Sequence, residues 1–185
     1  VFQALLDFLE HGHTKGYVEL PTGFGKTVIF SKFLEALDIP TIIVVPTVDL
    51  VAQTEEKLQQ HTDVEAGLVY GEAKEFGQKV TITTYASLMN GLRNGNIKPE
   101  NYGLVILDEV HEGLSEARKA AIAKFDDQIT IGFSATPHYS RKKTTREILP
   151  EEIYSLPVVE ASEMGALSEF TTAAIFTEIS LANVS

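Results

Sequence analysis

Leu20-Pro21-Thr22-Gly23-Phe24-Gly25-Lys26-Thr27 joins an apolar, β-branched run, Tyr17–Leu20, to a stretch of helical periodicity, Val28–Leu37. The run reads as a strand, and the periodic stretch as a helix with Phe30, Phe33, Leu34 and Leu37 inward. A strand, a glycine-containing loop and then Gly-Lys-Thr opening a helix is the setting of a phosphate-binding loop. Successive amides of a tight loop, continued by the N-terminus of a helix, form an anion cradle, here from Thr22, Gly23, Phe24 and Gly25. The two glycines permit backbone angles and close approaches that a Cβ blocks. Lys26 brings a point charge to the β- and γ-phosphates, and the Thr27 hydroxyl suits Mg²⁺. The pattern departs at Leu20, where glycine or alanine is usual. Taken alone, the segment also fits an ordinary strand–turn–helix with a surface lysine.

A second segment decides between those readings. Leu104-Val105-Ile106-Leu107 runs straight into Asp108-Glu109-Val110-His111. Four apolar residues deliver two carboxylates to the end of a strand, where Asp108 can hold Mg²⁺ through its water shell. Glu109 can then orient and deprotonate an attacking water. Two carboxylates by themselves also suit glycoside hydrolysis, but Lys26 and Thr27 would then have no role. Together the two segments predict a site for ATP and Mg²⁺.

Further β-branched runs lie between helical stretches: Thr41–Val45, Val80–Thr83 and Ile129–Phe133. Phe2, Leu5, Leu6 and Leu9 recur at helical spacing, as do Leu88 and Leu92. The runs are apolar on both faces, as expected of parallel strands covered by helices on each side. The alternation predicts an open α/β sheet, with ligands at the carboxyl ends of its strands. Each motif starts where a run ends. Beyond Pro137 the pattern weakens, and Phe170–Leu181 reads as a last strand.

The composition sets outer bounds. A chain of 185 residues, 44% hydrophobic and 22% charged, is long enough for one globular domain with a full core. No apolar run approaches the roughly 18 residues of a membrane span. With no cysteine there is neither disulfide nor thiolate chemistry, which suits a reducing, cytoplasmic setting. No basic segment precedes the amphipathic start, so no signal peptide is expected. The lack of an initiator Met predicts a piece of a longer chain. A net charge of −11 disfavours a domain basic all over, although backbone amides and hydroxyls can hold phosphates without net charge. The local cluster Arg141-Lys142-Lys143-Thr144-Thr145-Arg146 is open to two readings, a phosphate contact or a solvated loop.

The phosphate loop with Asp-Glu-Val-His resembles the first motor domain of the superfamily 2 helicases and translocases, in the DExH group. Three more segments come in that family's order. Pro46-Thr47-Val48-Asp49-Leu50-Val51-Ala52-Gln53 is similar to motif Ia, Ile82-Thr83-Thr84-Tyr85 to the threonine-rich motif before motif II, and Phe133-Ser134-Ala135-Thr136-Pro137 to motif III. The resemblance spans roughly residues 17–140. It implies a RecA-like P-loop NTPase fold, a three-layer sandwich around a mainly parallel sheet. Residues 1–185 then form one ATP-binding domain, with 150–185 a tail at its edge. It further implies that Lys26, Asp108, Glu109 and His111 serve catalysis. Ser134, Ala135 and Thr136 would couple nucleotide state through His111, and Pro46, Thr47, Thr83 and Thr84 would hold one nucleic-acid strand by its phosphates. Thr47 also reads simply as a helix cap.

The family's adenine-reading segment and its second RecA-like domain, with the arginine fingers, are not expected within these residues. An arginine finger contributes about a thousandfold or more to phosphoryl transfer. Residues 1–185 alone are therefore expected to bind ATP weakly and hydrolyse it slowly. The stretch Glu163-Met164-Gly165-Ala166-Leu167 and Gly-Phe-Ser-Ala-Thr-Pro resemble the branch of restriction-enzyme motor subunits and DNA-repair helicases, which favours DNA over RNA as partner. Two other readings stand beside this: an ATP-driven polypeptide translocase, and a nucleotide-gated binding module that does no unwinding.

Overall fold

The computed structural model describes residues 1–75, 79–135, 138–140 and 143–163. Thr136 with Pro137, Arg141 and Lys142 of the basic cluster, and the stretch 164–185 with its expected strand lie outside the described residues. In chain order the elements are α1 (Phe2–Glu10), β1 (Lys15–Glu19), α2 (Lys26–Leu37), β2 (Thr41–Val45), α3 (Val48–His61), β3 (Ala66–Tyr70), β4 (Ala73–Lys74), β5 (Val80–Thr84) and α4 (Tyr85–Asn94). Next come β6 (Leu104–Leu107), a 3₁₀ turn (Val110–Leu114), α5 (Glu116–Ile122), β7 (Ile129–Ser134), β8 (His138–Ser140), β9 (Lys143–Thr144), β10 (Glu151–Ser155) and α6 (Val158–Glu163).

Eight strands form one sheet in the order β10-β1-β7-β6-β2-β5-β3-β4. Every pairing in it is parallel except β3 with β4. Parallel neighbours need crossover connections, and α2, α3, α4 and α5 supply them. The side-chain period of two then divides the core. Val18, Ile43, Val45, Leu104, Ile106, Ile131 and Phe133 face one way and pack with Leu5, Phe8, Phe30, Phe33, Val51 and Leu58 of α1–α3. Tyr17, Ile42, Val44, Val105 and Leu107 face the other way, against Tyr85, Leu88, Ile122 and Phe125. The result is helices, sheet, helices: the three-layer α/β sandwich expected from the doubly apolar runs.

The runs Thr41–Val45 and Leu104–Leu107 are strands with the bounds read from sequence, and all nine residues are buried. β1 starts earlier than expected, at Lys15, and α2 starts at Lys26. Three strands of this sheet, β3, β4 and β10, had no signature of their own. β3 alternates half-buried with buried positions around Gly67, and β10 is an edge strand whose Glu151 and Glu152 are exposed. Residues 151–155 of the expected tail thus belong to the sheet, paired in parallel with β1.

α2 is anchored over β7 by Phe30 and Phe133, whose rings meet edge to face with centroids 5.7 Å apart. Burying each of these side chains contributes roughly 1.5–3 kcal/mol. This packing fixes the helix that carries Lys26 and Thr27 against the strand that carries Ser134.

Candidate nucleotide site

Because the strands run parallel, the loops after β1, β7 and β6 leave the sheet at one edge, and these three strands are neighbours. The loop after β1 bends through Gly23 (φ 85°) and Gly25 (φ 77°), left-handed angles that favour glycine. Nothing lies within 4 Å of where a Gly23 Cβ would stand, so the angle rather than crowding calls for glycine there. Gly25 is the residue that caps α2, and Lys26 and Thr27 form the first turn of that helix. The departure at Leu20 has a physical account. Its side chain is fully buried in the core, and its amide donates to the Ser134 carbonyl at 2.9 Å. The amide bond is one that any residue but proline can make; what leucine adds is a side chain seated in the core, which anchors the loop from beneath.

After β6, the Asp108 amide donates to the Val44 carbonyl at 2.9 Å, which prolongs the β2–β6 ladder by one step. Glu109 then takes a left-handed conformation, φ 46° and ψ 57°, costly for a residue with a Cβ. That turn folds the Val110–Leu114 segment back over β7. Glu109 Oε1 pairs with Lys26 Nζ, and Glu109 Oε2 lies 3.4 Å from His111 Nδ1. The same His111 nitrogen shares a hydrogen bond with the Ser134 hydroxyl at 3.0 Å. Lys26, Glu109, His111 and Ser134 are therefore one contiguous polar cluster, drawn from three strand ends. Ala135 comes directly after Ser134 and is half-buried.

Room for this fold-back comes from Gly132 in β7. A Cβ there would collide with the Leu149 side chain and stand 3.0 Å from Val110 Cβ. A lone glycine within a strand often marks a close approach of this kind.

Burial raises the Asp108 carboxyl above the ordinary carboxylate range; the Lys26 charge opposes the rise and Glu109 adds to it. With the folded-state value above the unfolded one, the folded protein holds the extra proton. Stability from this group is present at low pH and lost as pH rises through the raised value. In nucleotide- and metal-free buffer, Asp108→Asn is expected to raise the melting temperature at pH 7–8, with the gain vanishing toward pH 4. Melting curves across that range check it, and a gain that grows on acidification would refute it.

Among the described residues, no group of three or more His, Asp or Glu side chains is gathered to hold a metal ion. Mg²⁺ bound with a nucleotide takes one or two protein oxygens and completes its shell with phosphates and water. Thr27 at the start of α2 and Asp108 at the end of β6 match that donor set.

Further along the same edge, after β2 and β5, stand two capped helix starts. Thr47 caps α3, its hydroxyl accepting from the Leu50 amide at 3.4 Å, and is exposed beside half-buried Pro46. Thr84 caps α4 through the Ser87 amide at 3.2 Å. Thr83 is turned into the sheet, its hydroxyl donating to the Val69 carbonyl at 2.7 Å, so it lies beneath this surface rather than on it. A cavity of about 580 Å³ adjoins the two caps, lined among others by Tyr70, Lys74, Thr84, Ser87, Asn90 and Arg93. Among the described residues, no acidic one lines it, in a chain of net charge −11. Of the basic cluster, Arg146 is engaged elsewhere: it donates to the Tyr17 hydroxyl at 3.2 Å and pairs with Glu152 at 3.3 Å.

The parallel sheet, the phosphate loop at one strand end and the acidic pair two strands away define a P-loop NTPase domain of the RecA-like helicase kind. The chain belongs to the ResIII family, type III restriction enzyme, res subunit, which matches residues 1–139. It is similar to the DNA 3'-5' translocase XPB2 of Sulfurisphaera tokodaii, with 34% identity over 124 residues, covering 66% of this chain and 27% of that one. Among solved structures, the Hef helicase domain of Pyrococcus furiosus matches with a TM-score of 0.70 at 22% identity, over 83% of this chain and 37% of that one. Dbp5 of S. cerevisiae, bound to RNA and ADP BeF3, matches with a TM-score of 0.69 at 20% identity, over 86% and 46%. These two show the fold. The chain spans about a quarter of the length of the translocase.

Two groups near the site carry no sequence signal. Glu112 and Arg118 fall outside every motif, yet Glu112 Oε1 lies 3.8 Å from His111 Nε2 and Arg118 pairs with Glu112.

Proposed function

We propose that residues 1–185 are the ATP-binding motor domain of a nucleic-acid-dependent ATPase, a helicase or translocase acting on DNA. The observation that carries this reading is the convergence of Lys26, Glu109, His111 and Ser134 at adjoining strand ends, beside two capped helix starts along the same edge. The loop amides and Lys26 bind the phosphates of ATP. Thr27 and Asp108 would hold Mg²⁺, which when bound would neutralise charge on the transferring phosphoryl group. Glu109 orients the attacking water and accepts its proton. His111 and Ser134 link that carboxylate to the end of β7.

Pro46, Thr47 and Thr84 sit where amides and hydroxyls at helix starts can take phosphates of one strand. The cavity beside them, whose described lining includes Lys74 and Arg93 and no acidic residue, extends this track. DNA is favoured over RNA by the likeness to a DNA translocase. A second RecA-like domain of the same parent chain would complete the ATP site with arginine fingers.

The test is steady-state ATP turnover of the full-length chain that carries these residues, alone and with single-stranded DNA, duplex DNA or RNA. Turnover is expected to rise with DNA. No stimulation by any of the three polymers would sink the reading.

A further inference from the structure

Tyr85 is the first residue of α4, next to the Thr84 cap, and only 1% exposed. Among the described residues its hydroxyl is the buried side-chain polar atom without a hydrogen-bond partner. Burial, aided by the Asp108 charge, pushes its ionisation far above the ordinary phenol range. No hydrogen bond of its hydroxyl therefore pins the ring. The polar group that grips it is the Arg118 guanidinium of α5, 5.1 Å from the ring centroid.

Arg118 is held on its other side by Glu112. Its Nη1 donates to the Glu112 carbonyl and lies 3.3 Å from Glu112 Oε2. The other Glu112 oxygen lies 3.8 Å from His111 Nε2. His111 Nδ1, in turn, faces Ser134 and Glu109. A chain of contacts thus runs from the start of α4 to the cluster around Lys26. Helix packing takes the same route, α4 on α5 and α5 on the Val110–Leu114 turn.

We propose that Arg118 is a positioning residue through which a strand bound at the start of α4 sets the orientation of His111, and with it Glu109. This rests on the strand-binding reading of Thr84. The residue type suits the task. A guanidinium is planar, so it can stack on a ring with one face while its fork of donors engages a carbonyl and a carboxylate. An ammonium offers charge without that double geometry. Coupling needs an element with two arrangements. The turn entered through left-handed Glu109 is where the proposal places that element, because a strained backbone persists only where its surroundings hold it.

The experiment uses the full-length chain that carries residues 1–185, with Arg118→Met, Arg118→Lys and Tyr85→Phe. ATP turnover is measured without polymer and with saturating poly(dT), duplex DNA or poly(U), together with the polymer concentration at half-stimulation. In both Arg118 variants, basal turnover and half-saturation are expected to be unchanged, while the stimulation factor falls about tenfold. Tyr85→Phe keeps the ring and is expected to keep the stimulation. Native stimulation in both Arg118 variants would overturn the proposal. So would an equal fall in basal and stimulated turnover, which marks a structural support only. If no polymer stimulates the native protein, the strand-binding reading itself fails and takes this proposal with it.

Discussion

Glu109→Gln is expected to lower polymer-stimulated ATP turnover by about 10²–10⁴-fold, the range lost when a positioned general base is removed. ATP affinity is expected to hold or rise. Glutamine keeps the size and shape of the side chain, so the left-handed turn at residue 109 and the position of His111 are retained. What disappears is the negative charge, and with it two things. An amide oxygen is too weak a base to take a proton from water. It also no longer draws Lys26 into the ion pair that joins the two strand ends.

Lys26 is then freer to face phosphates, which is why binding and turnover separate in this variant. A fluorescent-nucleotide titration and a steady-state assay with DNA check both halves. Turnover within about tenfold of the native protein would place the base elsewhere, and a matching loss of binding would make Glu109 a structural partner of Lys26 alone.

The site was legible because its chemistry sits in short segments at strand ends. Lys26, Asp108 and His111 each belong to a local pattern in which the order of neighbouring residues marks the role. β2 and β6 were legible because both of their faces are buried, so nothing polar interrupts the run. β3 was not, since three of its five positions are only partly buried and Gly67 breaks its apolar character. β10 covers an edge of the sheet and shows solvent two glutamates.

Other contacts were invisible for a different reason. The Leu20 departure has the look of damage to the phosphate loop when only neighbouring residues are considered. Its role as an anchor depends on a side chain buried among residues of other elements. Arg118 over Tyr85 and Glu112 beside His111 are likewise pairings in space between segments that carry no shared pattern. Local spacing encodes which groups are present at the edge. Packing across the sheet decides which of them touch.

Gly132→Val is expected to destabilise the domain by about 2–3 kcal/mol, in the upper range for overpacking a filled core. That is a large share of a net stability of roughly 5–15 kcal/mol. The reason lies in what covers this point of β7. Val110 and Leu149 are both fully buried, and both press on the glycine where a Cβ would stand. Neither is the free end of a mobile surface chain. β7 cannot retreat, because it is hydrogen-bonded on both sides, to β1 and to β6. The strain must therefore lift the Val110–Leu114 turn, which carries His111 away from Ser134 and slackens the grip on Glu109. Stability and polymer-stimulated turnover should fall together, in contrast to Arg118→Met, where turnover in the absence of polymer is spared. Urea denaturation of the native and variant domains measures the first loss, and the steady-state assay the second. An unchanged midpoint would mean that the turn has slack above β7, and that the closeness of His111 to Ser134 does not depend on the missing side chain.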